Sequence, residues 1–65
     1  MLNKEYEWIL YTPAPAHKAP GITMTYTGYI TFRQLFVTRA ELLEQATKIL
    51  RRDQAGNVKQ IFPIL

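Results

Sequence analysis

The sequence predicts an α+β domain: a ββαβ two-layer sandwich, with one helix packed on one face of a three-stranded antiparallel sheet of order 2-1-3. Three observations lead there. Residues 4–11 and 22–37 alternate apolar and polar side chains with period 2, as strands with one buried face do. Residues 38–52 open on a helix-start signal and continue as an apolar stripe at 3.6 spacing. A short β-branched and aromatic stretch, Val58 to Ile64, follows a glycine-containing break. With 65 residues the chain has room for one domain, 1–65.

The first strand, Lys4 to Tyr11, places Tyr6, Trp8 and Leu10 on one side and Glu5, Glu7, Ile9 and Tyr11 on the other. The even side carries the bulkiest uncharged set and is the expected core face. Thr12 to Gly21 is a loop whose three prolines remove backbone donors and favour an extended, semi-rigid arm.

The second strand, Ile22 to Val37, is the longest regular pattern. Ile22, Met24, Tyr26, Gly28, Ile30, Phe32, Gln34 and Phe36 fall on one face; Thr23, Thr25, Thr27, Tyr29, Thr31, Arg33, Leu35 and Val37 fall on the other. Thr27-Gly28 is not a favoured hairpin pair, so the reading is one long strand bent or bulged at Gly28, with its phase unchanged. Two shorter strands meeting there are the alternative.

The helix starts at Thr38-Arg39-Ala40-Glu41, a capping-box spacing with Val37 and Leu42 placed as a hydrophobic staple. Leu42, Leu43, Ala46, Ile49 and Leu50 form its apolar stripe as far as about Arg52, and Glu44 and Lys48 make an i,i+4 pair. Asp53 to Asn57 stops it, with Gly56 or Asn57 as terminator. In the last strand Pro63 cannot donate to a ladder, which places that strand at a sheet edge. Putting strand one between the other two gives the antiparallel order 2-1-3. The helix then covers the even face and leaves the odd face open.

Composition excludes several function classes. There are 0 cysteines, so neither a disulfide framework nor a thiolate metal site is available, and the single histidine, His17, sits among prolines. No cofactor or metal is expected. With no Ser and no Cys the nucleophile search is empty, and three glycines form no phosphate-binding loop. Glu5 and Glu7 read as a solvated strand face, so an enzyme is not expected. No apolar run reaches the roughly 18 residues of a membrane helix, and the start lacks a secretory pattern; the expected compartment is cytoplasmic. Eight Lys/Arg against five Asp/Glu give a net charge of +3, a modest basicity compatible with nucleic acid or an acidic protein surface.

The candidate binding residues lie on the open face: Tyr11, Thr25, Thr27, Tyr29, Thr31 and Arg33, a polar surface with aromatic anchors. A second candidate is a basic helix end made by Lys48, Arg51 and Arg52. Free sheet edges can add a partner's strand, including that of a second copy in a homodimer through strand two. The outline is similar to that of small proteins of phages and mobile elements that dock on and modulate a host enzyme, a likeness of architecture alone. The expected function is therefore a non-enzymatic interaction module on a larger protein, an inhibitor or adaptor. The alternative is a weakly basic nucleic-acid binder using the open face or the basic helix end.

Overall fold

The computed structural model describes residues 4–14 and 21–64. The chain forms strands β1 (Glu5–Pro13) and β2 (Ile22–Thr31), helices α1 (Phe32–Thr38) and α2 (Ala40–Gln45), then strands β3 (Lys48–Arg52) and β4 (Val58–Phe62). The α+β class and the antiparallel sheet agree with the sequence. The sheet, however, has four strands in the order β2-β1-β3-β4, and two short helices replace the single long one. All three pairings are antiparallel.

β1 is central, and its even side chains form the core as expected. Trp8 and Leu10 pack with Leu35 and Ile49, flanked by Tyr6, Ile30, Leu43, Ala46 and Ile61. The Trp8 indole N–H donates to the Ile30 carbonyl at 3.0 Å, so a buried polar atom is satisfied. Its ring meets Tyr6 edge-on and Phe32 at a tilt, with centroids 5.8 Å apart in both pairs. The proline arm largely falls outside the described residues, as does His17. Thr12 and Pro13 belong to β1, and the Ala14 amide donates to the Gly21 carbonyl at 3.0 Å.

The helix starts seven residues earlier than the sequence reading placed it. Thr31 is the N-cap: its hydroxyl accepts the Gln34 amide at 3.1 Å, while the Gln34 side chain accepts the Thr31 amide at 2.9 Å. Thr31-Phe32-Arg33-Gln34 has the same spacing as Thr38-Arg39-Ala40-Glu41. It wins because it drops Leu35 into the core, where Leu35 is fully buried. Thr38 lies inside α1 and donates its hydroxyl to the Gln34 carbonyl at 2.6 Å instead of capping. Arg39, with φ −127° and ψ 33°, breaks the helix before α2.

The expected helix over 38–52 ends at Gln45, and residues 48–52 pair with β1. The stripe Leu42, Leu43, Ala46, Ile49, Leu50 also fits a short helix followed by a strand buried on both sides. As a strand, Ile49 lies opposite Leu10 and Leu50 lies opposite Ile9, so each covers a different face of β1. The Glu44–Lys48 helical pair therefore does not exist. Val58–Phe62 is an edge strand, as expected, but it borders β3 rather than β1.

The phase of β2 does change at Gly28. Glu7 faces Tyr29 and Ile9 faces Tyr26, so Trp8 alone opposes two residues, Thr27 and Gly28. This is a β-bulge with Gly28 at φ 77°, in the left-handed region open to glycine. The Thr27 hydroxyl accepts the Trp8 amide at 3.1 Å and donates to the Gly28 carbonyl at 2.8 Å, bridging the interrupted ladder. One extra residue inverts every side chain on one side of it. Ile22, Met24 and Tyr26, expected under the helix, share the open face with Ile9 and Tyr11; Thr23 and Thr25 share the helix side with Thr12 and Leu10.

Two substitutions test this arrangement by denaturant midpoint. Thr31→Ala removes the cap and should cost about 1 kcal/mol, whereas Thr38→Ala should stay within about 0.5 kcal/mol. Equal losses would contradict the assigned helix start. Thr27→Val leaves the Trp8 amide without its acceptor and should cost about 1 to 3 kcal/mol, with Thr27→Ser close to the parent.

Candidate functional site

The two helices lie on one side of the sheet. On the other side no layer covers the strands among the described residues. Cross-strand register assigns that open face. β1 supplies Glu5, Glu7, Ile9 and Tyr11; β2 supplies Ile22, Met24, Tyr26, Tyr29 and Thr31; β3 supplies Lys48, Leu50 and Arg52; β4 supplies Val58 and Gln60. Its centre is Ile9, only 2% exposed although no helix lies above it, and opposite Tyr26 on one side and Leu50 on the other. Around it Ile22, Met24, Tyr26, Tyr29 and Val58 stay exposed, Tyr26 at 52%.

Two of the four charged groups on this face pair with each other. Arg52 Nη1 meets Glu7 Oε1 at 2.7 Å, a cross-strand ion pair. The Lys48 ammonium lies 5.4 Å from the centre of the Tyr11 ring. Glu5 and Glu7 offset Lys48 and Arg52, so the face has no formal net charge although the chain carries +3. The Tyr29 hydroxyl crosses over to donate to the Asp53 carbonyl at 3.1 Å, which ties the face to the β3–β4 turn. That turn is organised by Asp53, whose carboxylate accepts the Asn57 amide at 2.9 Å and its side-chain N–H at 3.3 Å. The Asn57 amide bond holds the Asp53 carboxyl below the ordinary carboxylate range, with smaller help from the Asn57 side chain.

Of the expected binding residues, Tyr11, Tyr29 and Thr31 do share the open face. Thr25 does not, because the bulge turns it toward Leu10 on the helix side. Thr27 is absorbed into the bulge by its two hydrogen bonds. Arg33 is in α1 and not on the sheet, since the strand ends at Thr31. The basic helix end is a strand, which splits it: Lys48 and Arg52 face the open side, while Arg51 lies opposite Trp8 on the helix side, its guanidinium 4.2 Å from the Tyr6 ring centre. The residues missed by sequence reasoning are Ile22, Met24, Tyr26, Leu50 and Val58. A threonine followed by a strand-interior glycine was the available signal, because such a glycine marks a bulge and a bulge moves the phase.

Among the described residues no group of three His, Cys, Asp or Glu side chains converges to hold a metal ion. No helix of the described chain is long and apolar enough to cross a membrane. No protein-family model matches the chain, and neither do curated proteins or solved structures.

The lowered pKa of Asp53 has a sign that can be tested. A carboxyl depressed on folding stabilises the folded state above its unfolded value of 3.8 and loses that contribution as pH falls through the lower folded value. The stability gap between the parent and Asp53→Asn should be constant near neutrality and shrink below about pH 4. A gap that widens on acidification would reverse the assignment.

Proposed function

We propose that this chain is a non-enzymatic interaction module that docks on a larger protein through the open face of its sheet and modulates it as an inhibitor or adaptor. The observation that carries this reading is the uncovered face itself. Large apolar side chains stand exposed around a buried Ile9, framed by tyrosine hydroxyls and a closed ion pair. Exposed apolar patches with a polar rim mark binding surfaces, and the tyrosines are the kind of residue that anchors them. Three of the four tyrosines, Tyr11, Tyr26 and Tyr29, lie here. The sequence adds the absence of Ser and Cys nucleophiles.

Tyrosines on an open sheet also suit base stacking, which supports the alternative of a nucleic-acid binder. Charge favours the protein partner. Phosphate contacts supply most nucleic-acid affinity, and this face offers no surplus positive charge. A protein partner needs none.

The test is affinity capture followed by titration of the captured protein with the parent and with Met24→Ala/Tyr26→Ala. Met24 is well exposed, and the double variant should remain folded by circular dichroism while binding falls at least tenfold, as loss of an aromatic anchor gives. Affinity should change little between 50 and 200 mM salt. Tight oligonucleotide binding that collapses over that salt range would replace this reading with the nucleic-acid one.

A further inference from the structure

We propose that the outer edge of β2 pairs with the same edge of a second copy, antiparallel and two-fold symmetric, to give a homodimer with one continuous eight-stranded sheet. The proposal stands on the edge of the sheet and does not depend on the docking role of its open face.

The two edges of the sheet are treated differently by the sequence. β4 carries Lys59, is irregular in its pairing near Ile49 and Leu50, and is followed at once by Pro63; charge, bulges and proline all discourage strand addition. β2 runs for ten residues, ITMTYTGYIT, with no charged residue and no proline. Its one irregularity, at Thr27-Gly28, lies toward its far end, leaving Ile22–Tyr26 regular. An uncharged, β-prone, proline-free edge is a template for another strand.

Charge and symmetry favour a second copy over a foreign strand. Each copy carries +3, yet none of that charge lies on β2, so two edges approach without like charges opposite each other. An uncharged edge also has no ionic handle with which to select a foreign strand. Antiparallel pairing of identical strands is self-complementary about a two-fold axis. An axis at Thr25 sets Thr25 against itself and Met24 against Tyr26. Thr–Thr and Met–aromatic neighbours are favourable, and the open faces of both copies join on one side.

The area suffices. Residues 22–28 give an edge about 24 Å long at about 3.4 Å per residue, and a layer about 10 Å deep makes this about 240 Å². The exposed half of Tyr26 adds about 75–125 Å², and Ile22 and Met24, at 67% and 45% exposure, extend the strip. The total is on the order of 500 Å² per copy, or about 1,000 Å² across both, the size at which specific interfaces begin.

The experiment is sedimentation of the parent chain from about 1 to 200 µM, with Thr23→Lys/Thr25→Lys beside it. These two positions lie on the helix side of β2, so the tyrosines of the open face are untouched. The parent should move from 7.6 kDa toward twice that mass with rising concentration, and the double-lysine variant should stay monomeric by a shift of at least tenfold in the dimer dissociation constant. Because the chain has no cysteine, Thr25→Cys supplies an independent readout that needs no added charge. It should form a disulfide-linked dimer on mild oxidation, while Gln54→Cys in the exposed β3–β4 turn should not. A parent that remains at 7.6 kDa throughout overturns the proposal. So does a dimer whose mass survives the lysines and yields to Met24→Ala/Tyr26→Ala, since that dimer is held face to face. A monomeric parent that still binds a partner protein leaves the docking reading standing without the dimer.

Discussion

The arrangement depends on Trp8 and its two hydrogen bonds. Its indole is fixed to the Ile30 carbonyl and its backbone amide to the Thr27 hydroxyl, so one residue of β1 holds both sides of the bulge in β2. A regular ladder supplies carbonyls at fixed intervals. Where Gly28 bends away, the Thr27 side chain takes over as acceptor and the buried amide is not left unpaired. The bulge then sets which side chains of β2 before Gly28 face the helices and which face away. Beyond it, Ile30 joins the core and Thr31 stands in position to cap α1. Core packing, helix start and open face therefore share one origin.

β1 shows the consequence in its burial. Trp8, Ile9 and Leu10 are consecutive and all buried, which a strand with one covered face does not allow. The even members are covered by α1, α2 and their neighbours. Ile9 is covered by side chains of its own face. The central strand of a 65-residue chain thus has two small buried clusters, one under helices and one at Ile9 between Tyr26 and Leu50. At this size neither contributes much margin, which makes the satisfied polar atoms at Trp8 more consequential.

Much of this was legible in the sequence. The alternation KEYEWILY identified β1, its core side and its open side, and Val58–Phe62 was recognised as an edge strand from Pro63. Two features were degenerate. Thr31-x-x-Gln34 and Thr38-x-x-Glu41 are the same capping signal, and local chemistry ranks them equally; only the depth to which Leu35 sinks against Leu10 separates them. Likewise, Ile49 and Leu50 satisfy a helical stripe and a two-sided strand alike, and the choice is made by Ile9 and Leu10, far away in sequence, each needing a neighbour. The open face was half legible. Tyr11, Tyr29 and Thr31 lie on the unbulged side of the phase, whereas Thr25 and Thr27 lie where one inserted residue reverses or consumes the side chain. Arg33 and the Lys48-Arg51-Arg52 cluster were lost to the same helix boundaries that local signals could not rank.

The length of the helices explains why the phase change is tolerated. At 1.5 Å per residue, the seven residues of α1 and six of α2 are each only about 10 Å long, while the ten residues of β2 extend about 34 Å. Neither helix spans β2 from end to end. Without the bulge, Ile22, Met24 and Tyr26 would lie on the helix side beyond the reach of either helix, and the open face would be a row of threonines above Ile9. With it, those side chains gather on the face that already holds Ile9, Leu50 and Val58. Separate apolar remnants become one patch, and the uncharged threonines of the same segment move to the helix side of the free edge. The surface proposed for docking and the edge proposed for self-pairing are thus two sides of a single inserted residue, and restoring regular pairing at Thr27-Gly28 would remove the first while leaving the second uncharged.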